Sequence, residues 1–436
     1  MNEHDLRDRV RDAFVLPPTA DASADGLLAL ATRRHARRLL LVRLTAAAAI
    51  LFTIGAALAY RHRGAPRTAV GPTHPNATAT SYPPPGTPTS TSSTSQASGW
   101  AVSSPAPTGA ATGARLVWTG TEMLAVGGID AAGSGLAYDP AVDRWNELPA
   151  APQPFYQVIQ WTGQELVALL GQAASGAPVT VAGAAYQPAS RTWRPLPAVP
   201  LTPRSHPVSA WTGTDVIVWG GSAERCLDDG AAYNPTTETW RPLARSPLVA
   251  RCDSAVSVWT GTELLIWGGS DRTSERSDGA AYNPTTDTWR TISPSPLKDA
   301  AIPDSVWTGA EMLVAVDGAA GSDGVATEVA GYDPVADTWR RLPQPPANIS
   351  GASLTWTGTQ LLVVGNTCTP NRGGEPTRRD VAFTPQTDTW ATLHDPAGRT
   401  PACGSRAVWT GTQLIAWGPG EAGAPAADTR AVLYRP

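Results

Sequence analysis

Residues 258–290 read VWTGTELLIWGGSDRTSERSDGAAYNPTTDTWR, and this stretch contains one complete structural unit. An apolar run ends at Trp259, a Thr-Gly turn follows, and a second apolar run ends in a pair of glycines. A polar loop then leads to a short segment that ends at Tyr282, and a turn around Asn283-Pro284 leads to a last segment around Trp289. These segments predict four short strands, a to d, with turn residues between successive strands.

The same unit recurs along the chain. The triplet Trp-Thr-Gly begins at Trp118, Trp161, Trp211, Trp259, Trp307, Trp356 and Trp409. A Tyr-x-Pro motif, with Phe in one copy, begins at Tyr138, Tyr186, Tyr233, Tyr282, Tyr332, Phe383 and Tyr434. A tryptophan follows seven residues later in the first six copies, at Trp145, Trp193, Trp240, Trp289, Trp339 and Trp390. Repeats of this length predict one array of small β-units instead of several domains.

The pattern resembles the kelch family. The resemblance is carried by the Tyr and Trp positions, by the segment Pro203-Arg204-Ser205-His206, and by glycine doublets after strand b at Gly127-Gly128, Gly220-Gly221 and Gly268-Gly269. Other units depart from the doublet, with Leu170-Gly171, Asp317-Gly318, Gly365-Asn366 and Gly418-Pro419. Over about residues 100–436 the resemblance implies an all-β fold, a seven-bladed kelch-like β-propeller of four-stranded blades.

The ends of the repeat region predict how the propeller closes. The seventh unit stops at Tyr434-Arg435-Pro436, before its strand-d tryptophan. Trp100 lies 18 residues before Trp118, and Trp193 lies 18 residues before Trp211. We therefore expect the strand around Trp100 to be the outer strand of the blade that contains Tyr434, which removes a free sheet edge.

Three segments precede the predicted propeller. Residues 1–38 are polar and are interpreted as a cytoplasmic tail. Residues 39–60 read LLLVRLTAAAAILFTIGAALAY, which is long and apolar enough for a single transmembrane signal anchor. Residues 61–99 are rich in Pro, Ser and Thr, which is typical of a disordered linker.

The distribution of arginines predicts the orientation of this anchor. Arg33, Arg34, Arg37 and Arg38 lie before the apolar segment, and Arg61, Arg63 and Arg67 lie after it. Because positive charge favours the cytoplasmic side, we expect a single-pass protein of the cell membrane, in contact with the lipid bilayer through residues 39–60. The N-terminus would then be cytoplasmic and the propeller extracytoplasmic.

The four cysteines predict two equivalent disulfides. Cys226 lies in the b–c loop of the third unit and Cys252 in the following d–a loop, and Cys368 and Cys403 occupy the same two loops around the sixth unit. Since b–c and d–a loops share one face of a propeller, each pair can approach within disulfide distance. An even cysteine count also fits an oxidising compartment.

Charge and histidine content exclude some function classes. Residues 100–436 hold 22 Arg and Lys against 31 Asp and Glu, a net charge of −9, which argues against binding nucleic acid through phosphates. Some kelch propellers are copper oxidases, but His206 and His394 are the two histidines of this region and belong to different units. Two isolated histidines do not make a copper site, so no metal and no cofactor are expected.

Other candidate residues have competing interpretations. Asp229, Asp278 and Asp380 recur in phase before strand c, and we interpret them as acceptors for backbone groups instead of ligand residues. No Ser-His-Asp, paired-carboxylate or phosphate-loop pattern is evident, so no catalytic residue is assigned.

The variable b–c and d–a loops are the predicted binding surface, because loops on a rigid scaffold commonly carry function. The candidate residues there are Arg204, Arg251, Asp253, Arg272, Glu275, Arg276, Arg378 and Arg379. The sequence favours a non-catalytic binding module for a protein or a cell-surface glycan. The alternatives are a carbohydrate-active enzyme of the mutarotase or oxidase type, and a sensor whose N-terminal tail passes a signal inward.

Overall fold

The structure is a computed structural model that describes part of the chain. The described residues are 99–107, 114–127, 135–153, 155–172, 178–297, 301–321, 324–346, 352–364, 380–393, 405–418 and 429–436. No helix among them is long and apolar enough to cross a membrane. The predicted tail, anchor and linker lie outside these residues, apart from Gly99 at the end of the linker.

The described residues form seven four-stranded antiparallel sheets, which are the blades of a β-propeller. Blades 1 to 3 consist of β2 (Arg115–Trp118), β3 (Met123–Val126), β4 (Leu136–Asp139), β5 (Arg144–Glu147), β6 (Phe155–Trp161), β7 (Leu166–Gln172), β8 (Gly183–Gln187), β9 (Thr192–Leu196), β10 (Val208–Trp211), β11 (Val216–Trp219), β12 (Gly230–Asn234) and β13 (Thr239–Pro242).

Blades 4 to 6 follow the same order from strand a to strand d. They consist of β14 (Asp253–Trp259), β15 (Leu264–Ser270), β16 (Gly279–Asn283), β17 (Thr288–Thr291), β18 (Ala301–Trp307), β19 (Met312–Gly321), β20 (Gly324–Asp333), β21 (Thr338–Arg341), β22 (Ser353–Trp356), β23 (Leu361–Val364), β24 (Val381–Thr384) and β25 (Thr389–Thr392). The all-β, seven-bladed fold is therefore confirmed.

Blade 7 is assembled from both ends of the described region. Its sheet order is β1 (Gly99–Pro105), β28 (Arg430–Arg435), β27 (Leu414–Trp417) and β26 (Arg406–Trp409). Trp100 lies directly opposite Tyr434 in this sheet, and its side chain is buried. The pairing predicted from the 18-residue spacing is present, so the sheet edge of β28 is covered by β1.

The strand order explains the apolar runs of the sequence. The a-strands of neighbouring blades contact one another around the whole ring, from β2 through β26 and back to β2, so strand a is innermost. Strand b of each blade is covered on both faces by the neighbouring blades. In blade 4, for example, Leu264 to Trp267 of β15 are all buried. Such strands read as continuous apolar segments instead of alternating ones.

The tyrosine and the tryptophan of each unit form one cross-strand pair. Tyr282 lies opposite Trp289, and their ring centroids are 4.8 Å apart. The corresponding pairs in the other blades have centroid distances between 4.6 and 5.2 Å, including Trp100 with Tyr434. The constant seven-residue spacing follows from the c–d turn, whose fifth residue after the tyrosine adopts a positive φ, as Asp287 does at 50°. Asp and Asn tolerate this left-handed conformation better than most residues.

The a–b turn depends on its threonine and glycine. Glu263 N donates to Thr260 Oγ1 at 2.9 Å, and Thr260 N donates to the Glu263 carbonyl at 3.0 Å. Gly261 has φ +102°, a conformation that residues with a Cβ rarely adopt. The repeated Thr-Gly pair is therefore required by the turn itself.

Candidate ligand-binding face

The two ends of the propeller carry different kinds of connection. The a–b and c–d turns share one end, which we call the turn face. The b–c and d–a loops share the opposite end, which we call the loop face. The inner a-strands begin at the loop face and end, at their tryptophan, at the turn face.

Several charged side chains of the turn face form hydrogen bonds and ion pairs within and between blades. Arg290 on β17 donates to both carboxylate oxygens of Glu263, at 3.1 and 2.7 Å, and to Tyr332 Oη of the next blade at 3.2 Å. Arg241 makes similar contacts, donating to Asp215 Oδ2 at 3.1 Å and to Tyr282 Oη of the next blade at 2.9 Å. This surface therefore holds the blades together and offers few unpaired charges.

The outer strands add a second contact between blades. Trp289 Nε1 donates to the Ala244 carbonyl of the preceding blade at 2.9 Å, and Ala244 N donates to Asp287 Oδ1 at 2.9 Å. At the closure of the ring, Trp145 Nε1 donates to the Ser104 carbonyl, and Ser104 N donates to the Asp143 carboxylate. Strand β1 thus repeats the inter-blade contacts of an ordinary strand d.

On the loop face, Arg204 is a buried structural residue. Its side chain has no solvent exposure, and it donates to the carbonyls of Thr202 and Gly220 and to both carboxylate oxygens of Asp229, at 2.9 and 3.1 Å. Burial alone would raise the pKa of Asp229, but the hydrogen bond and the positive charge of Arg204 lower it below its usual value. In this arrangement the guanidinium fastens the d–a loop to the b–c loop of blade 3.

Arg251 performs the same task in blade 4. Its side chain is 1% exposed, and it donates to the carbonyls of Gly268 and Val249 and to Asp278 Oδ1 at 2.6 Å. Asp229 and Asp278 therefore accept arginine hydrogen bonds at the loop-to-strand junction. The sequence predicted a structural role for these two carboxylates, and that role is present. Their donors include arginine side chains, whereas the sequence predicted backbone N–H groups.

The disulfide between Cys226 and Cys252 is present, which confirms one of the two predicted pairings. Beside it, Arg272 Nε contacts Cys252 Sγ at 3.1 Å, and its other nitrogens donate to Ser222 Oγ and to the carbonyls of Ala223 and Glu224. The b–c loops of blades 3 and 4 are thus fixed to each other. Cys368 and Cys403 lie outside the described residues, as do Arg378 and Arg379.

The remaining candidates lie in and beside the b–c loop of blade 4. Arg276 forms an ion pair with Asp271, its side chain is 37% exposed, and its Nε has no hydrogen-bond partner among the described residues. The backbone of Glu275 forms an isolated antiparallel β-bridge with Ser270. The Ser270 Oγ donates to Asp253 Oδ1 at 2.6 Å. This Nε is a buried atom, so a ligand could reach only the exposed part of the Arg276 side chain. The ligand-binding role of these residues stays a prediction.

Two arginines that sequence reasoning did not single out lie at the centre of this face. Arg115 is the first residue of β2, Arg406 is the first residue of β26, and these inner strands are neighbours in the ring. Both side chains are partly exposed. No hydrogen-bond or ion-pair partner of Arg115 is found in the described part of the chain. Burial and the charge of Arg406 lower the pKa of Arg115 to about 9, so Arg115 remains charged at neutral pH.

His206 lies within electrostatic range of Arg115 and of Asp253. Burial lowers the pKa of His206, while the negative charge of Asp253 raises it and the positive charge of Arg115 lowers it further. His206 N donates to Gln157 Oε1 at 3.3 Å, and His206 has a positive φ of 55°. Among the described residues no group of three or more His, Cys, Asp or Glu side chains could hold a metal ion.

Comparison with known proteins places the fold but not the function. No protein-family model matches the chain, and no curated protein matches it. Among solved structures, the chain is similar to one described as "Structure of YjhT". The similarity covers 66% of this chain and 99% of that chain, with a TM-score of 0.51 and 14% sequence identity. It supports the class, a β-propeller, and at this identity nothing finer; the kelch resemblance stays a prediction.

Proposed function

We propose that this chain is a non-catalytic binding module whose ligand, a protein or a cell-surface glycan, docks on the loop face. The observation that carries the proposal is the contrast between the two faces. The charged groups of the turn face pair with one another within and between blades, whereas the loops of blades 3 and 4 are fixed by a disulfide and by buried arginines. A rigid loop surface loses little conformational entropy when it binds a ligand.

We also propose that the module is a membrane-anchored, extracytoplasmic, kelch-like protein. The Cys226–Cys252 disulfide supports an oxidising compartment, because such bonds are rare in the reducing cytosol. The apolar segment 39–60 supports the anchor. A reporter enzyme that is active only outside the cytoplasm, fused after Pro436, tests the topology. Activity is expected, and an inactive but intact fusion contradicts the proposed orientation.

A carbohydrate-active enzyme is the second candidate. The specific observation in its favour is that Arg115 and His206, both with lowered pKa values, lie near each other at the start of their inner strands on the loop face, since active sites contain titratable groups with shifted pKa values. Turnover of a bound sugar, followed by polarimetry for mutarotation and by peroxide release for oxidation, would favour the enzyme over the binding module.

The binding face is tested with the full-length protein on a glycan array and in pull-downs from extracellular material. For any ligand found, Arg276→Ala is compared with Thr262→Ala, a change in an a–b turn of the same blade. We expect Arg276→Ala to weaken binding at least tenfold, about 1.4 kcal/mol, and Thr262→Ala to leave it unchanged. Weakening by the turn variant alone would assign binding to the other face.

A further inference from the structure

We propose that the Cys226–Cys252 disulfide is a thiol-exchange site, where a low-molecular-weight thiolate attacks Cys226 Sγ and releases Cys252 as a thiolate that Arg272 stabilises. The site follows from the surroundings of the two sulfurs. That the exchange regulates ligand binding at the loop face rests on the proposed function.

The two cysteines differ in access from solution. Cys226 is half-buried and directly follows two exposed residues, Glu224 and Arg225. Cys252 is 2% exposed and directly precedes the inner strand β14. Since thiol exchange depends on access to the sulfur that is attacked, a thiolate from solution reaches Cys226 Sγ more readily than Cys252 Sγ.

A guanidinium group lies against the sulfur that would leave. Arg272 Nε is 3.1 Å from Cys252 Sγ, and the other nitrogens of Arg272 donate to Ser222 Oγ and to the carbonyls of Ala223 and Glu224. All of these acceptors are uncharged. Sulfur in a disulfide is a weak acceptor, whereas a thiolate at Cys252 would accept a charge-assisted hydrogen bond from Nε.

This contact determines how well Cys252 can leave. A thiol with a lower pKa leaves faster, and a neighbouring arginine lowers the pKa of a thiol, while burial raises it. Burial alone would therefore make Cys252 the poorer leaving group. The hydrogen bond from Arg272 is what suits this buried sulfur to carry the negative charge.

The acids next to these residues in the chain have other partners. Asp253 accepts a hydrogen bond from Ser270 Oγ at 2.6 Å, and Asp271 forms an ion pair with Arg276. The positive charge of Arg272 is therefore available to a thiolate that forms beside it.

The exchange step involves the disulfide and the incoming thiol alone. The thiolate forms a new S–S bond to Cys226 Sγ, the bond between Cys226 Sγ and Cys252 Sγ breaks, and its electron pair stays on Cys252 Sγ. The incoming thiol is oxidised to one half of a mixed disulfide, and Cys252 is reduced. Because the Cys252 thiolate stays close, it can attack Cys226 Sγ in turn and expel the thiol, so the step is reversible.

The loops keep other bonds when the disulfide opens. Gly221 N donates to the Arg251 carbonyl at 2.9 Å, and Arg251 N donates to the Leu227 carbonyl at 3.0 Å. These backbone hydrogen bonds join the same two loops as the disulfide does. Exchange should therefore release the segment around Cys226 locally, without unfolding the blade.

The site is tested with reduced glutathione as the attacking thiol, on the full-length protein under native conditions. Samples are quenched with excess N-ethylmaleimide, and peptide mapping shows which cysteine carries glutathione and which carries maleimide. We expect glutathione on Cys226 and maleimide on Cys252. Glutathione on Cys252, or a disulfide that opens only in denaturant, overturns the site.

Three variants test the role of Arg272. Arg272→Gln should slow the opening by about three- to tenfold, because the leaving thiolate loses part of a charge-assisted hydrogen bond. Arg272→Lys should retain part of the rate. Arg245→Gln removes an exposed arginine from the loop that contains Cys252 and should react as wild type.

A purely structural role for Arg272 predicts the opposite sign. If this arginine served only to hold the loops together, Arg272→Gln would loosen them and the disulfide would open faster. A rate for Arg272→Gln that is faster than wild type or unchanged therefore overturns the proposal.

The exchange site and the proposed function fail separately. If glutathione does not open the native disulfide, the exchange site is wrong whatever the glycan array shows. If exchange occurs at Cys226 but a loop-face ligand binds equally well before and after it, the site stands and its regulation of binding is wrong.

Discussion

At the scale of single residues, the arginines of the loop face divide by what their guanidinium groups contact. Arg204 and Arg251 are enclosed and bonded to backbone carbonyls and a carboxylate. Arg115 has a like charge as its neighbour. Residue type and position alone do not separate these cases, because each arginine lies at or near the start of an inner strand.

Arg251→Ala should destabilise the propeller by about 3–5 kcal/mol, because the change removes a buried cation and leaves the carbonyls of Gly268 and Val249 without their donor. Equilibrium unfolding in urea measures the loss. The control is the exposed Arg144→Ala, which should cost less than about 0.5 kcal/mol. Equal and small effects from both variants would contradict a structural role for Arg251.

The Arg204–Asp229 pair should make stability depend on acid. The pKa of Asp229 is lowered in the folded protein, so its contribution is present above the unfolded value of about 3.9 and disappears as pH falls through the folded value. Wild type should therefore exceed Asp229→Asn in stability at pH 6, and the difference should shrink towards pH 2.

The measurement is the midpoint of urea unfolding at each pH. Glu224→Gln removes a negative charge from the same loop without touching Arg204 and should give a small, constant difference. A difference between Asp229→Asn and wild type that stays constant with pH would contradict the account.

At the scale of elements, each blade combines a fixed c–d hairpin with a variable b–c loop. The hairpin could be predicted because the Tyr–Trp spacing is set by its turn and its ring contact. The loop contacts could not, because Arg204 and Asp229 are 25 residues apart and their pairing depends on how the d–a loop folds. The pairs of the turn face, by contrast, do have a sequence signal: an acid four residues after the a-strand tryptophan occurs with an arginine after the d-strand tryptophan in blades 2 to 5.

Breaking the disulfide should loosen two loops at once. Cys226 and Cys252 are 26 residues apart, and closing a loop of that length contributes about 3.5 kcal/mol through the unfolded chain. We expect Cys226→Ser with Cys252→Ser to lower the melting temperature by several degrees and to increase amide exchange around Arg272. Reduced wild type should match the variant. If the amides of the b–c loops of blades 3 and 4 exchanged at the same rate in the variant as in wild type, the disulfide would not be what stabilises these loops.

At the scale of the whole molecule, closure depends on a strand that comes from the start of the described region. The 18-residue spacing predicted this strand, since the d-strand tryptophans Trp193 and Trp289 also lie 18 residues before the next Trp-Thr-Gly. The axial arginines were not anticipated, because the ring brings the first and last inner strands together and no local pattern marks that contact. Aligning the repeats could have revealed them, because the position three residues before the a-strand tryptophan is arginine in blades 1 and 7 and valine in blades 2 to 4.

Trp100→Ala should cost about 3–5 kcal/mol, because the buried ring is removed from its contacts with Tyr434 and the core of blade 7. Hydrogen exchange should show loss of protection first in β28 and β27. Trp289→Ala, the equivalent change in the uninterrupted blade 4, should leave these two strands protected. Retained protection of β28 in Trp100→Ala would contradict closure by β1.

The most direct test of the central claim, that the loop face is the ligand site, is hydrogen exchange of the full-length protein with and without a ligand found on the glycan array or in the pull-downs. The account predicts that the ligand slows amide exchange in the b–c and d–a loops of blades 3 and 4, around Arg251 and Arg276. It also predicts that the a–b turns around Gly213 and Gly261 exchange at the same rate with and without the ligand. Slower exchange confined to these turns would contradict it.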